Sequence, residues 1–155
     1  MSKKEATPIT GMEKVEDQKS QLGALVQFYR AFNTRDMAEM KHNWHQSADI
    51  AMDNPLGGIM RGWNEIGPVY ERIFSGPARV KVEFHDYTIH SCGEVFYAVG
   101  RERGRFEKDG TVIDLRIRTT RIFMTTPDGW KQVHHHGSIE NPGLLETYQH
   151  AVSGG

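Results

Sequence analysis

The sequence predicts an α+β fold: a cone-shaped, curved antiparallel β-sheet, or half barrel, wrapped around three N-terminal helices. Three observations favour this fold. Apolar residues recur at helical spacing up to about residue 75, four later segments alternate with a period of two, and glycine-containing turns join those segments. Strands of about twelve residues are longer than usual. Long strands with helices on one side only suit a strongly bent sheet.

Charge and cysteine content restrict the class of protein. The chain has 155 residues, of which 19 are basic and 20 acidic, so we expect neither a nucleic-acid partner nor an anionic membrane surface. A single cysteine, Cys92, excludes an intramolecular disulfide and indicates a reducing, cytoplasmic compartment. No apolar run reaches the roughly 18 residues of a membrane span. We therefore expect a domain over residues 20–140, a frayed or disordered arm before it (1–19) and a C-terminal helix and tail after it (141–155).

Three helices are expected before the long strands. Ser20 can cap the first and Asp36 the second, while the third follows Gly62 and ends at residues 75–77. The first helix carries an apolar stripe at three- and four-residue steps, which consists of Leu22, Leu25, Val26, Tyr29 and Phe32.

The strands begin near residue 49. A short strand over residues 49–54 turns back towards residues 59–61. The four long strands are expected at residues 79–90, 95–106, 111–125 and 130–139. Because tight turns join the long strands, such as the Asp109-Gly110 hairpin, they form an antiparallel meander.

Two arginines are candidates for a binding pocket. On the strand over residues 111–125, the residues of one parity are apolar (Ile113, Leu115, Ile117), and the same parity puts Arg121 on that face. A buried arginine must meet a carboxylate, a ligand or water. The alternative is that Arg121 ends the strand in solvent or that a bulge turns it outward. On the preceding strand both faces are apolar, and the alternating residues of one face include Arg101. If Arg101 and Arg121 face one cavity, their guanidinium groups would bind a carboxylate.

Three consecutive histidines, residues 134–136, suggest metal binding or proton transfer. Neighbouring residues of a strand point to opposite faces, so all three cannot bind one ion, and no third ligand for a pair of His134 and His136 is evident. We therefore expect no metal site. If His135 lines a pocket, its ordinarily near-neutral pKa would suit acid/base catalysis. Asn54 follows the first strand, where it can enter a cavity or simply form an Asx turn before Pro55.

Two stretches make the sequence resemble a known superfamily. Residues 49–58, with Arg61-Gly62 before a helix, and residues 128–138, with Thr120-Arg121 upstream, are similar to the SnoaL-like branch of the nuclear transport factor 2-like superfamily. The second stretch also resembles the association domain of calcium/calmodulin-dependent protein kinase II. The resemblance implies a cone-shaped barrel that dimerises through the outer face of its sheet. It matches Arg101 and Arg121 to two pocket arginines of that domain, whereas a third falls at Gly137.

The same resemblance argues against one known mechanism. Ketosteroid isomerases of this superfamily have a general-base aspartate where this chain has Asn54, and a catalytic tyrosine near Phe28. Their oxyanion-hole acid has no carboxylate counterpart here. In the register that the association domain implies, Val133, His135 and Gly137 face inward on the last strand.

Three functions are compatible with these patterns. The first is a cofactor-free domain that binds a polar or anionic organic ligand, for example a carboxylate. The second is a cofactor-independent isomerase, dehydratase or cyclase with His135 as the acid/base, and the third is an oligomerisation module. For the first function, Arg101 and Arg121 would hold the anion and His135 and Asn54 would donate or accept hydrogen bonds. The expected apolar walls are Trp44, Trp63 and Tyr97. A homodimer or larger homo-oligomer is expected in each case.

Overall fold

A computed structural model describes residues 7–154 and contains four helices and six strands in that range. The helices are α1 (Gln21–Thr34), α2 (Met37–Asn43), α3 (Trp63–Ser75) and α4 (Pro142–Ser153). The strands are β1 (Ala51–Asp53), β2 (Ile59–Arg61), β3 (Arg79–Cys92), β4 (Val95–Lys108), β5 (Thr111–Thr126) and β6 (Gly129–Ile139). No helix among residues 7–154 is long and apolar enough to cross a membrane.

The six strands form one curved, unclosed sheet in the order β2-β1-β6-β5-β4-β3. The α+β class and the curved sheet predicted from the sequence are thereby confirmed. The four long strands form the expected antiparallel meander, but β1 pairs with β6 in parallel over only three residue pairs. This parallel pair brings the end of the first short strand beside the histidine run of β6, a proximity that no local sequence pattern indicates.

Two features of the β3–β4 pair accompany the curvature. The register shifts between His85 and Thr88, where Asp86 has a positive φ of 53°, as is typical of a β-bulge. Further along the pair Gly104 lies beside Val82, and a Cβ atom at Gly104 would lie 1.9 Å from the carbonyl oxygen of Lys81. The two backbones therefore approach more closely than a side chain at this position would permit.

Helices α1 and α3 supply most of the helical side of the core. The predicted caps form, since the Ser20 hydroxyl accepts from the backbone N–H of Gly23 and Asp36 accepts from that of Glu39. Pro68 lies inside α3 without ending it. Fully buried side chains from both layers meet at the centre, among them Leu25, Val26, Phe28, Tyr29, Ile66, Phe84, Phe96 and Phe123.

The segment before α1 packs against the domain over the residues that the structure describes, which corrects the expectation of a frayed arm over residues 1–19. Ile9 is buried and exchanges two backbone hydrogen bonds with Phe84, of 3.0 and 2.8 Å. Gly11 lies so close to the backbone of Arg30 that a Cβ atom there would clash. The sequence has no apolar periodicity here because one buried isoleucine, not an amphipathic face, holds the segment. Residues 1–6 lie outside the described range.

The Ile9 contact generates the first prediction. Ile9→Ala should lower the free energy of unfolding by about 3 kcal/mol, because it removes buried methyl groups and leaves a cavity. The measurement is urea unfolding followed by circular dichroism. Met12→Ala, at a position 78% exposed in the same segment, is the matched control and should change stability by less than about 0.5 kcal/mol. Equal effects of the two variants would show that the segment is not docked.

Candidate functional site

A cavity of about 430 Å³ lies between the inner face of the sheet and the helices. Its size is typical of small-molecule sites. The walls are mainly apolar side chains from both layers, including Phe28, Phe32, Met52, Val69, Tyr70, Phe106, Leu115, Ile117 and Tyr148. The polar residues that line it are few: Asn54, Arg72, Glu102, Lys108, Arg121 and His135. This composition is that of a pocket in which a small number of polar groups orient a mostly apolar ligand.

The floor of the cavity is a buried ion pair. Arg121 and Glu102 are only 2% and 4% exposed, and Nη2 of Arg121 donates to Oε2 of Glu102 at 2.8 Å. Nε of Arg121 donates to the hydroxyl of Tyr29 at 3.2 Å, and Nη1 donates to Oε1 of Gln132 at 2.8 Å. The Tyr29 hydroxyl in turn donates to Glu102 at 2.7 Å. The guanidinium also lies 3.5 Å from the centre of the Phe28 ring, within range of a cation–π interaction.

Burial and the ion pair determine the protonation states of this network. Burial alone would lower the pKa of Arg121, but the neighbouring Tyr29 and Glu102 raise it above its usual value, so the guanidinium stays charged. Burial, together with Glu102, raises the pKa of Tyr29 well above its usual value. Burial also raises the pKa of Tyr70 to about 12. The tyrosines therefore remain neutral donors, and the Arg121–Glu102 pair brings no net charge to the cavity floor.

His135 is a buried polar group of the cavity that has no hydrogen-bond partner among residues 7–154. It is 6% exposed, and within residues 7–154 neither of its buried ring nitrogens has a hydrogen-bond partner. Burial, followed by the positive charge of Arg121 and then by His134 and His136, lowers its pKa well below the usual range. The ring is therefore a neutral imidazole, with one donor and one acceptor available to a ligand.

The orientation of the β6 side chains depends on a bulge. Ile122 pairs with His134 and Phe123 pairs with Gln132, so Val133 is an extra residue on β6. His135 lines the cavity, as the predicted register implies. Gln132 is also fully buried, and its side chain accepts a hydrogen bond from Arg121 on the inner side of the sheet. Strict alternation from His135 would instead direct Gln132 outward. A bulge of this kind leaves no clear signal in the sequence.

Three of the predicted site residues line one cavity. Arg121, His135 and Asn54 all do so, although Oδ1 of Asn54 also accepts from the backbone N–H of Leu56 at 2.8 Å, as in the Asx turn considered above. Arg121 meets a carboxylate of the protein itself, which is one of the outcomes expected for a buried arginine. It is consequently not a free cation for a ligand carboxylate.

Arg101 and Tyr97 do not reach the cavity, contrary to expectation. Both lie on the outer face of β4, where Arg101 forms salt bridges with Asp86 at 3.0 Å and Glu140 at 2.7 Å. Tyr97 is exposed and stacks on His90 with ring centres 4.5 Å apart. The prediction was wrong because β4 is apolar on both faces, so its parity could not be assigned. The inward parity is that of Phe96, Ala98 and Glu102.

The two predicted tryptophans lie outside the cavity lining. Trp44 is buried behind Tyr70, with ring centres 6.4 Å apart, and so supports the wall without forming its surface. Trp63 begins α3 and covers Gly67, where a Cβ atom would lie 3.0 Å from the indole. Trp44 is thus a core residue and Trp63 is half-buried, and neither forms the predicted apolar wall.

Sequence reasoning missed Glu102 and Gln132 as site residues. Glu102 shares the inner face of β4 with Phe96 and Ala98. One signal could have identified the pair: an apolar face of one strand contains a carboxylate, and the apolar face of the next strand contains an arginine. Glu102 pairs in the sheet with Ile117, and Arg121 lies four residues further along β5.

The ion pair generates the second prediction. Glu102→Gln should lower the free energy of unfolding by about 3 kcal/mol, because the Arg121 cation loses its carboxylate in a buried site. Glu107→Gln, at an exposed position of the same strand, is the control and should cost less than about 0.5 kcal/mol. The double variant Glu102→Leu with Arg121→Met should be more stable than Glu102→Gln alone. Similar urea-unfolding midpoints for Glu102→Gln and Glu107→Gln would contradict a structural role for the pair.

Comparisons with known proteins agree with this architecture. The family model of the SnoaL-like domain matches residues 22–142. A proposed dehydratase of the NTF2-like family from Streptomyces avermitilis is similar in structure, with 22% identity, coverage of 80% of this chain and 96% of that chain, and a TM-score of 0.72. The hub of calcium/calmodulin-dependent protein kinase II from S. rosetta is also similar, with 18% identity, coverage of 76% and 93%, and a TM-score of 0.65.

A third similar structure is a proposed calcium/calmodulin-dependent protein kinase II association domain from Thiobacillus denitrificans. It has 22% identity, coverage of 79% of this chain and 96% of that chain, and a TM-score of 0.65. No curated protein matches the chain. At these identities the solved structures show a common fold, whereas the family model spans most of the sequence. The chain therefore belongs to the SnoaL-like family, within the NTF2-like fold.

Proposed function

We propose that this protein binds an amphipathic organic acid, with the apolar body of the ligand in the cavity and its carboxylate at the mouth. The observation that carries the proposal is His135, a buried imidazole whose two ring nitrogens have no partner within residues 7–154, at the wall of an otherwise apolar cavity. A buried polar group without a partner is costly. A ligand that hydrogen-bonds to it recovers that cost.

The charges around the cavity indicate different positions for the uncharged polar group of the ligand and for its carboxylate. At the floor the Arg121 charge is already balanced by Glu102, so an anion there would be desolvated without a free cation to stabilise it. A hydroxyl or carbonyl group suits this position, since neutral His135 both donates and accepts.

Two further cations line the cavity and contact solvent. Arg72 is exposed and Lys108 is half-buried, and both line the cavity. We place the mouth of the cavity at these two residues, because both line the cavity and also contact solvent. The carboxylate anticipated from the sequence is therefore better placed beside Arg72 and Lys108 than beside Arg121.

The third prediction concerns ligand binding. Decanoate should raise the melting temperature of the protein, and its ω-hydroxy derivative should raise it further, because only the latter reaches His135 with a polar group. Leu115→Trp should abolish both shifts by filling the cavity. His135→Phe should remove the difference between the two compounds. The measurement is differential scanning fluorimetry.

Controls test each end of the cavity separately. Arg72→Ala with Lys108→Ala should weaken the effect of decanoate but not that of the uncharged decanediol. Arg105→Ala, on the outer face of the sheet, should change neither. Stabilisation that persists in Leu115→Trp would show binding elsewhere on the surface and would overturn the proposal, as would no stabilisation of the wild-type protein by any of the compounds.

An enzymatic function of the same cavity is the second candidate. The free ring nitrogens of His135 favour it, since a cofactor-independent isomerase, dehydratase or cyclase needs an acid/base that faces its substrate. One similar structure is a proposed dehydratase. If turnover of a bound compound is detected, His135→Ala should abolish it. Unchanged turnover in that variant would exclude this role.

We also propose that the protein forms a homodimer through the outer face of its sheet. Exposed apolar side chains of β4 and β5 lie together there, since Val99 and Tyr97 are neighbours on β4, Tyr97 pairs with Ile122, and Met124 follows on β5. Such a patch on one face is typical of a protein–protein contact. Two similar structures are named as an association domain and a hub of a protein kinase.

The fourth prediction tests this dimer. Val99→Asp should convert the dimer to a monomer, because it places a charge within an apolar interface. Light scattering after size-exclusion chromatography gives the mass. Leu22→Asp, an exposed apolar position at the start of α1, is the control and should leave the mass unchanged. A wild-type protein of monomeric mass would contradict the proposal.

A further inference from the structure

A cluster of metal-ligating side chains lies on the outer face of the sheet, opposite the cavity. It consists of His134 and His136 of β6 and Asp53 of β1. The parallel pairing places Asp53 directly beside His136 and Ala51 beside His134. One ligand atom from each of the three residues lies within 4.8 Å of the other two. The third ligand that the histidine run lacks is therefore supplied by a strand more than eighty residues earlier in the chain.

The backbone already orients His134 for coordination. Its Nδ1 lies 2.9 Å from the carbonyl oxygen of Ala51. A carbonyl oxygen only accepts, so Nδ1 carries the proton and Nε2 has the free lone pair that binds a metal. Histidine ligands of metals usually have such an outer partner, which fixes the tautomer and the ring orientation.

The other two side chains are accessible and close to each other. Nδ1 of His136 lies 2.8 Å from Oδ2 of Asp53, and the two side chains are 55% and 28% exposed. An ion pair alone explains the contact between Asp53 and His136, but it does not involve His134, which lies beside them in the tautomer that leaves Nε2 free for a metal. Metal–ligand distances are about 2.0–2.2 Å, so the three side chains must rotate towards one another from this arrangement for an ion to bind.

We propose that Asp53, His134 and His136 bind one borderline divalent transition-metal ion, preferentially Zn²⁺, with water completing the coordination. Two imidazoles and one carboxylate are a recognised zinc ligand set, whereas Ca²⁺ and Mg²⁺ prefer oxygen ligands throughout. The ion joins β1 to β6, whose direct pairing covers only three residue pairs. It therefore acts as a clamp on the strand pair that carries Met52 and His135 on its cavity side.

Zinc titration of the untagged protein tests the proposal. After treatment with chelator, isothermal titration calorimetry with ZnCl₂ should show one ion per chain with a Kd of about 1 μM or below, and His136→Ala and Asp53→Asn should each weaken binding by about tenfold or more. Co²⁺ should give visible absorption bands of a low-coordinate site in the wild type and not in His136→Ala. Excess Ca²⁺ should not compete.

The chain offers a matched control in His85. Its Nε2 lies 3.1 Å from Oε1 of Glu83, so it also forms a histidine–carboxylate pair, but within one strand and without a third ligand beside it among residues 7–154. His85→Ala should leave zinc affinity unchanged. Circular dichroism without metal should show that His136→Ala and Asp53→Asn are folded, since both positions are accessible. Zinc affinity that is equally weak in the wild type, His136→Ala and Asp53→Asn would show adventitious surface binding and overturn the proposal.

Discussion

The ion pair between Arg121 and Glu102 is the interaction on which the interior depends. It lies where β4 and β5 face the helices, and its hydrogen bonds reach Tyr29 on α1 and Gln132 on β6. A slip of one residue along β5 would turn Arg121 outward and leave Glu102 buried without a partner. Buried ion pairs often add little net stability compared with apolar side chains, but breaking one is costly. Here the pair specifies the register of the sheet.

The same pair gives the cavity its character. Because Glu102 neutralises Arg121, the floor of the cavity offers a ligand hydrogen bonds but no net charge. The cations that line the cavity near solvent are Arg72 and Lys108. His135 stands next to Arg121 in the sheet and remains neutral in a site that is both buried and close to a cation. The walls are apolar, the buried Arg121–Glu102 pair is neutralised, and the other lysine and arginine side chains of the lining contact solvent.

Sequence patterns predicted the fold and half of the cavity for identifiable reasons. Strand β5 alternates cleanly, so the inward position of Arg121 followed from parity alone, and the predicted register placed His135 correctly. Strand β4 is apolar on both faces, which hid the outward position of Arg101. The bulge at Val133 and the parallel pairing of Asp53 with β6 are consequences of tertiary structure, and no periodicity reports them.

The histidine run illustrates how one segment can contribute to two sites. Alternation along β6 directs His135 into the cavity and His134 and His136 to the opposite face, while Asp53 ends β1 on the outer side and the next residue, Asn54, lines the cavity. An ion bound to the outer three residues would restrain the backbone on which His135 and Asn54 are mounted. If that restraint favours the conformation that binds ligand, linkage requires the ligand to increase metal affinity by the same factor. The two sites would then be coupled through the three-residue pairing of β1 with β6.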